Sequence, residues 1–138
     1  MKQLVFTIAL LLTTVFALGQ NKTTTITVTV HNVTSSKGKV LFGLHTKDTF
    51  MTSKGIQGAA SSIVDGKATA EFKNVEPGTY AILVLHDEND NKRMDFQSNG
   101  MPAENYAMSN NPMSYGPPQF NDAKFEVTDK DLNLDIRF

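Results

Sequence analysis

The chain ends Leu132-Asn133-Leu134-Asp135-Ile136-Arg137-Phe138. Apolar and polar residues alternate without exception, so Leu132, Leu134, Ile136 and Phe138 fall on one side of an extended backbone and Asn133, Asp135 and Arg137 on the other. That period predicts a strand with one buried face. Toward the amino end, Thr25–Val30 alternates threonine with Ile26, Val28 and Val30, and Lys39–His45 places Val40, Phe42 and Leu44 on one face. Lys67–Phe72 does the same with Ala68, Ala70 and Phe72, while Ser61–Val64 and Ala123–Val127 give weaker signals. Tyr80–Leu85 is almost continuously apolar, the pattern of a strand covered on both faces. Between these runs lie turn formers. Ser35-Ser36-Lys37-Gly38 predicts a hairpin joining the first two strands, Asp65-Gly66 a tight turn, and Pro77-Gly78 another. No stretch has a helical period. About seven short strands with turns between them predict an all-β chain folded as a single two-sheet antiparallel β-sandwich, with one long irregular loop before the last two strands.

The amino end carries Lys2, an apolar run from Leu4 to Leu18, and Ala17-Leu18-Gly19. A basic start, an apolar core and small residues at the cleavage point predict a signal peptide over residues 1–19. The alternative, a membrane anchor, needs about 20 apolar residues, and this run is shorter. Cleavage leaves 20–138 as one domain with no transmembrane segment, delivered to the periplasm, the outer surface or the medium. The 138-residue chain has no cysteine, so disulfides are excluded and packing, with or without a bound ion, must hold the domain. A net charge of −1 with no basic face argues against nucleic acid and anionic membrane surfaces as partners.

Residues 87–122 form a connection rich in Asn, Pro, Gly and Met that shows no periodicity. Loops of that length are commonly functional or disordered. The segment opens with Asp87, Asn89, Asn91 and Asp95 at positions one, three, five and nine, with the carbonyl of Arg93 at seven. Such spacing brings oxygens onto one hard cation, so Ca2+ is the expected cofactor. Two departures count against it. Lys92 stands at position six, where a calcium loop has glycine, and Ser98 at twelve, where it has a bidentate Glu that only Glu104, folding back, would supply. The competing reading is an Asx-rich turn that caps its own backbone. Met94, Met101, Met108 and Met113 share the loop and suit gap filling better than copper. Tyr106, Asn110 and Tyr115 are candidate ligand-binding residues.

Catalytic signatures are absent: the sequence has no cysteine nucleophile, no Gly-x-Ser-x-Gly elbow, no phosphate-cradling glycine loop and no metalloprotease histidine pair. His31, His45 and His86 all lie at strand ends, where a histidine is more often hydrogen-bonded than a zinc ligand. The leading expectation is therefore a non-enzymatic envelope domain that binds an unknown ligand or envelope protein through its long loop. Two alternatives stay open. One is a small periplasmic hydrolase or isomerase using His86 with Asp87 or Glu104, and the other is a structural accessory subunit.

Several blocks resemble one bacterial family. They are Tyr80–Asn89, Asp95, Gly100-Met101-Pro102-Ala103-Glu104, Tyr106, Ser109-Asn110-Asn111 and Gly116-Pro117-Pro118, with Phe120 and Ala123. In order and spacing these are similar to domain-of-unknown-function family 2141, and the likeness covers nearly all of residues 20–138. The resemblance implies an exported bacterial β-sandwich of immunoglobulin or transthyretin (prealbumin-like) character and implies no established activity. The chain departs from the family at Asp90 and Lys92, where glycines are usual, which weakens the case for a tight Asp/Asn turn. Phe72–Tyr80 also resembles the Pro-Gly-Tyr corner of carboxypeptidase-regulatory-like sandwich domains.

Overall fold

In the computed structural model, which describes residue 19 and residues 22–138, eight strands form two sheets. The expected signal peptide lies almost wholly outside the described residues. Strands β1 (Thr24–His31), β4 (Ala68–Val75) and β8 (Leu132–Arg137) make one sheet in the order β4-β1-β8. The other contains β2 (Lys39–His45), β3 (Gln57–Ser61), β5 (Gly78–Asp87) and β6 (Tyr106–Met108), in the order β3-β2-β5-β6. A fifth member, β7 (Phe125–Val127), pairs with the first residues of β5, while β6 pairs farther along it. The all-β sandwich expected from the sequence is what forms. One ladder is parallel rather than antiparallel: β1 and β8 run together from Ile26↔Leu132 to His31↔Arg137.

The alternating residues account for the core. Ile26, Val28 and Val30 of β1, Phe72 of β4 and Ile136 of β8 meet Val40, Phe42 and Leu44 of β2 and Ile82 and Val84 of β5. Each shows almost no surface, so truncating Phe72 to alanine would cost about 3–5 kcal/mol through lost transfer energy and the cavity left behind. The run in β5 is covered on its second face too. There Ala81 and Leu83 meet Phe50, Met108, Ala123 and Phe120. The long loop thus returns across the sheet and supplies part of its cover.

Three local expectations change. Ser35–Gly38 does not close a hairpin, because β1 and β2 belong to different sheets and the segment crosses between them. Two one-faced strands bury their apolar sides equally well across a sandwich or side by side, and the turn residues do not choose. Gly38, at φ 67°, passes so close to the Asp87 carbonyl that a Cβ would overlap it, which makes glycine obligatory there. The weak strand expected at Ser61–Val64 lies earlier, at Gln57–Ser61. After it, Val64 and Lys67 bridge across Asp65-Gly66, both left-handed, the tight turn that this dipeptide favours. Finally, the 87–122 connection is not without structure, since it contains β6 and leads into a single-turn helix, α1 (Phe120–Ala123). Three residues are too few to show a period.

At the other end of β5, the hydroxyl of Tyr80 donates to the carbonyl of Glu76 at 2.9 Å. This bond ties the strand to the crossing from β4, as in the tyrosine corners of other sandwiches.

Candidate functional site

Strand β5 ends at Asp87, whose side chain is fully buried. A buried carboxylate must be hydrogen-bonded, and its two oxygens take the N–H groups of Asn91 (3.1 Å) and Lys92 (2.8 Å). The chain therefore curls around Asp87. Asp90 and Lys92 reach φ 57° and 63°, the left-handed conformation for which glycine is the usual choice. The tight turn forms despite the missing glycines.

The curl brings the sequence-expected ligands together. Nδ2 of Asn89 donates to Oδ2 of Asp95 at 2.6 Å, and Nδ2 of Asn91 donates to both Asp95 oxygens at 2.9 Å. Oδ1 of Asn89 accepts from the N–H of Asn91, and Oδ1 of Asn91 from that of Arg93, each at 3.1 Å. Glu104 folds back onto the loop, but as a cap on backbone N–H groups. Its oxygens accept from the N–H groups of Glu88 (3.1 Å) and Asp95 (3.3 Å), and the Ala103 N–H binds the Asp95 carbonyl. The loop is thus a set of Asx turns closed by a glutamate strap.

The bonds observed are those of the self-capped turn. Among the described residues no three His, Cys, Asp or Glu side chains gather as a metal cluster. The loop is a different kind of donor set, because half of its four converging side chains are amides. A half-turn of each terminal amide exchanges Nδ2 for Oδ1 without moving the rest of the side chain. The 2.6–2.9 Å contacts with Asp95 would then become oxygen–oxygen contacts. Five oxygens ringed at about 2.4 Å around a calcium ion stand roughly 2.8 Å apart, so the spacing fits. The exchange gives up the two Oδ1 caps, each worth about 1 kcal/mol, and the amide bonds to Asp95, for which the ion must compensate.

The remaining candidates separate. Asn110 donates through Nδ2 to the carbonyls of Asp122 (3.1 Å) and Lys124 (2.8 Å), which occupies its amide within the fold. Tyr106, on the edge strand β6, is 38% exposed, and Tyr115 is fully exposed. Of the methionines, Met108 is buried beneath β5, whereas Met113 is fully exposed. His86 has no exposed surface. Its Nε2 bonds the Lys37 carbonyl at 2.9 Å, its ring stacks on Phe138, and its Nδ1 has no hydrogen-bond partner, with Glu88 at 3.8 Å. A buried imidazole cannot reach a substrate, and Glu104 is engaged by backbone, so the acid–base pairing of His86 with Asp87 or Glu104 is not assembled.

The sequence reading missed the roles of Phe96, Ser109 and Asn111. Phe96 is 64% exposed and bridges Pro102 across the left-handed Gly100, leaving it beside Met101, itself 59% exposed. Ser109 accepts the Ile82 N–H at 3.0 Å and donates to the Ala123 carbonyl, locking the loop's return onto β5. Asn111 runs its amide along the outer edge of β8. Only the block Ser109-Asn110-Asn111 hinted at these clasps, and it carried no period to interpret.

Comparison with curated proteins returns no match. Among solved structures, a pilus-presented adhesin is similar at 14% identity over 84% of this chain, with a TM-score of 0.28. The chain spans about a quarter of that adhesin's length, 27%. A family model described as "Uncharacterized protein conserved in bacteria" matches residues 28–135, from within β1 to within β8 and across the whole long loop. The match takes in both sheets and every residue of the Asp87–Glu104 set, and the chain belongs to that family, domain-of-unknown-function family 2141.

Proposed function

We propose that this chain is an exported, non-enzymatic binding domain of the bacterial envelope whose long loop takes up a divalent cation, calcium by its donors. The facing of Asn89 and Asn91 onto Asp95, in a turn closed on Asp87 at the end of a core strand, carries the reading. Asp87 and Asp95 supply carboxylate oxygens, Asn89 and Asn91 amide oxygens, Arg93 its backbone carbonyl, and Glu104 the strap that holds both ends. A bound ion offsets the charge of Asp87 and Asp95 and fixes the segment that follows. There Phe96, Met101 and Tyr106 offer apolar surface to a ligand or an envelope protein. Export follows from the amino-terminal pattern, and amino-terminal sequencing of the chain recovered from the envelope should begin at Gln20.

Thermal melting with excess calcium and then with chelator tests the ion. A ligand at 100 times its dissociation constant adds about 2.7 kcal/mol, roughly 10 °C for a domain of this size. An unchanged melting temperature would remove the cation from the proposal.

A further inference from the structure

We propose that a second site, separate from the loop, lies at the rim where β1 and β8 end together, and that it binds an oxyanion group, a carboxylate or a phosphate. Parallel pairing is what creates it. Both strands reach their carboxyl ends at the same rim, and the ladder sets His31 opposite Arg137. An open cavity of about 440 Å³ lies there, lined by the polar side chains of His31, Asn32, Asp135 and Arg137.

The lining favours an anion. Oδ1 of Asp135 accepts from Nε2 of His31 at 2.7 Å, which commits the one carboxylate and fixes the ring. Arg137 forms no ion pair among the described residues, so its guanidinium is not held by Asp135, the carboxylate that shares the cavity wall. That charge repels a metal cation and leaves His31 and Asp135 too few donors to hold one. A guanidinium presents N–H groups in a planar fork that matches the paired oxygens of a carboxylate or a phosphate. Asn32, at φ 61°, takes a conformation that Asn tolerates better than most residues and turns the chain away from β1 along the cavity wall. Arg137 is held from behind, because Oδ1 of Asn111 accepts its backbone N–H at 2.8 Å. The backbone of the site is thus fixed by two strands and a clasp, while the side chains of Asn32, Asp135 and Arg137 face solvent.

Titration of the 15N-labelled protein with inorganic phosphate and with acetate, against chloride at equal ionic strength, tests the proposal. Saturable amide and side-chain shifts centred on His31, Asn32 and Arg137 are expected with at least one of the two. Saturation by phosphate alone marks a phosphate-bearing ligand, and by acetate alone a carboxylate. In Arg137→Gln, whose melting temperature should match wild type because the side chain is exposed, binding should weaken by about tenfold or more. The loop variant Asp95→Ala should bind the anion as wild type does, so this site stands or falls apart from the cation loop. Shifts that fail to saturate, that chloride reproduces, or that persist in Arg137→Gln would overturn it.

Discussion

The backbone N–H of Lys92 donates to Oδ2 of Asp87 at 2.8 Å, with Lys92 itself in the left-handed conformation. A lysine here does the work usually given to glycine, and the turn closes around the buried carboxylate all the same. The left-handed region costs an L-residue roughly 1–2 kcal/mol. Glycine avoids that but loses about 0.5–1 kcal/mol of unfolded-chain entropy. Lys92→Gly should therefore raise stability by up to about 1.5 kcal/mol, seen as a higher urea midpoint at an unchanged m-value. A lower midpoint would mean that the Lys92 side chain contributes more than its backbone strain removes.

Asn111 acts as a substitute strand for β8. Its amide donates to the Asp135 carbonyl at 2.9 Å and accepts from the Arg137 N–H, the pattern a neighbouring strand would offer. Asn111→Ala should cost about 1–2 kcal/mol and accelerate hydrogen exchange at the Arg137 amide. Asn111→Asp keeps the acceptor and should leave that amide protected. Equal exchange rates in wild type and Asn111→Ala would show that the clasp holds nothing.

His45 sets a pH dependence. Burial lowers its pKa below 6.5, partly opposed by the hydrogen bond to the Thr49 carbonyl, and its ring packs edge-on against Phe50. The folded chain disfavours the charged ring, whereas the unfolded chain protonates freely near 6.5. Below that pH the unfolded state binds more protons, so stability is full above 6.5 and falls on acidification toward the folded pKa. The loss is at most about 1.4 kcal/mol per pH unit. Urea midpoints at pH 7.5 and 5.5 should differ in wild type and converge in His45→Asn. A difference unchanged by the substitution would assign the dependence to other groups.

The parts of this fold legible in sequence are those in which a residue's own neighbours fix its surroundings. Leu132–Phe138 alternates because one face meets the core, Asp65-Gly66 is a tight turn wherever it occurs, and Tyr80 closes its corner four residues back. What escaped depends on distant partners. Nothing within Ser35–Gly38 says that β2 pairs with β5 rather than β1, and nothing in β8 says that it lies parallel to β1. The loop divides in the same way. The Asp87–Asp95 spacing was readable because its bonds are local, whereas Asn111 meets β8 across the fold and Asn110 reaches Asp122 and Lys124 across the chain's return. His31 was visible only as a histidine at a strand end, because its partner Asp135 lies near the other end of the chain.

Calorimetric titration of the purified protein with calcium decides the function proposed for the loop. One ion per chain should bind wild type, and Asp95→Ala, which removes a carboxylate that both asparagine amides face, should abolish the heat while the protein stays folded. No heat with wild type, or equal binding by Asp95→Ala, would contradict a cation centred on Asp87, Asn89, Asn91 and Asp95 and leave the segment as a self-capped turn.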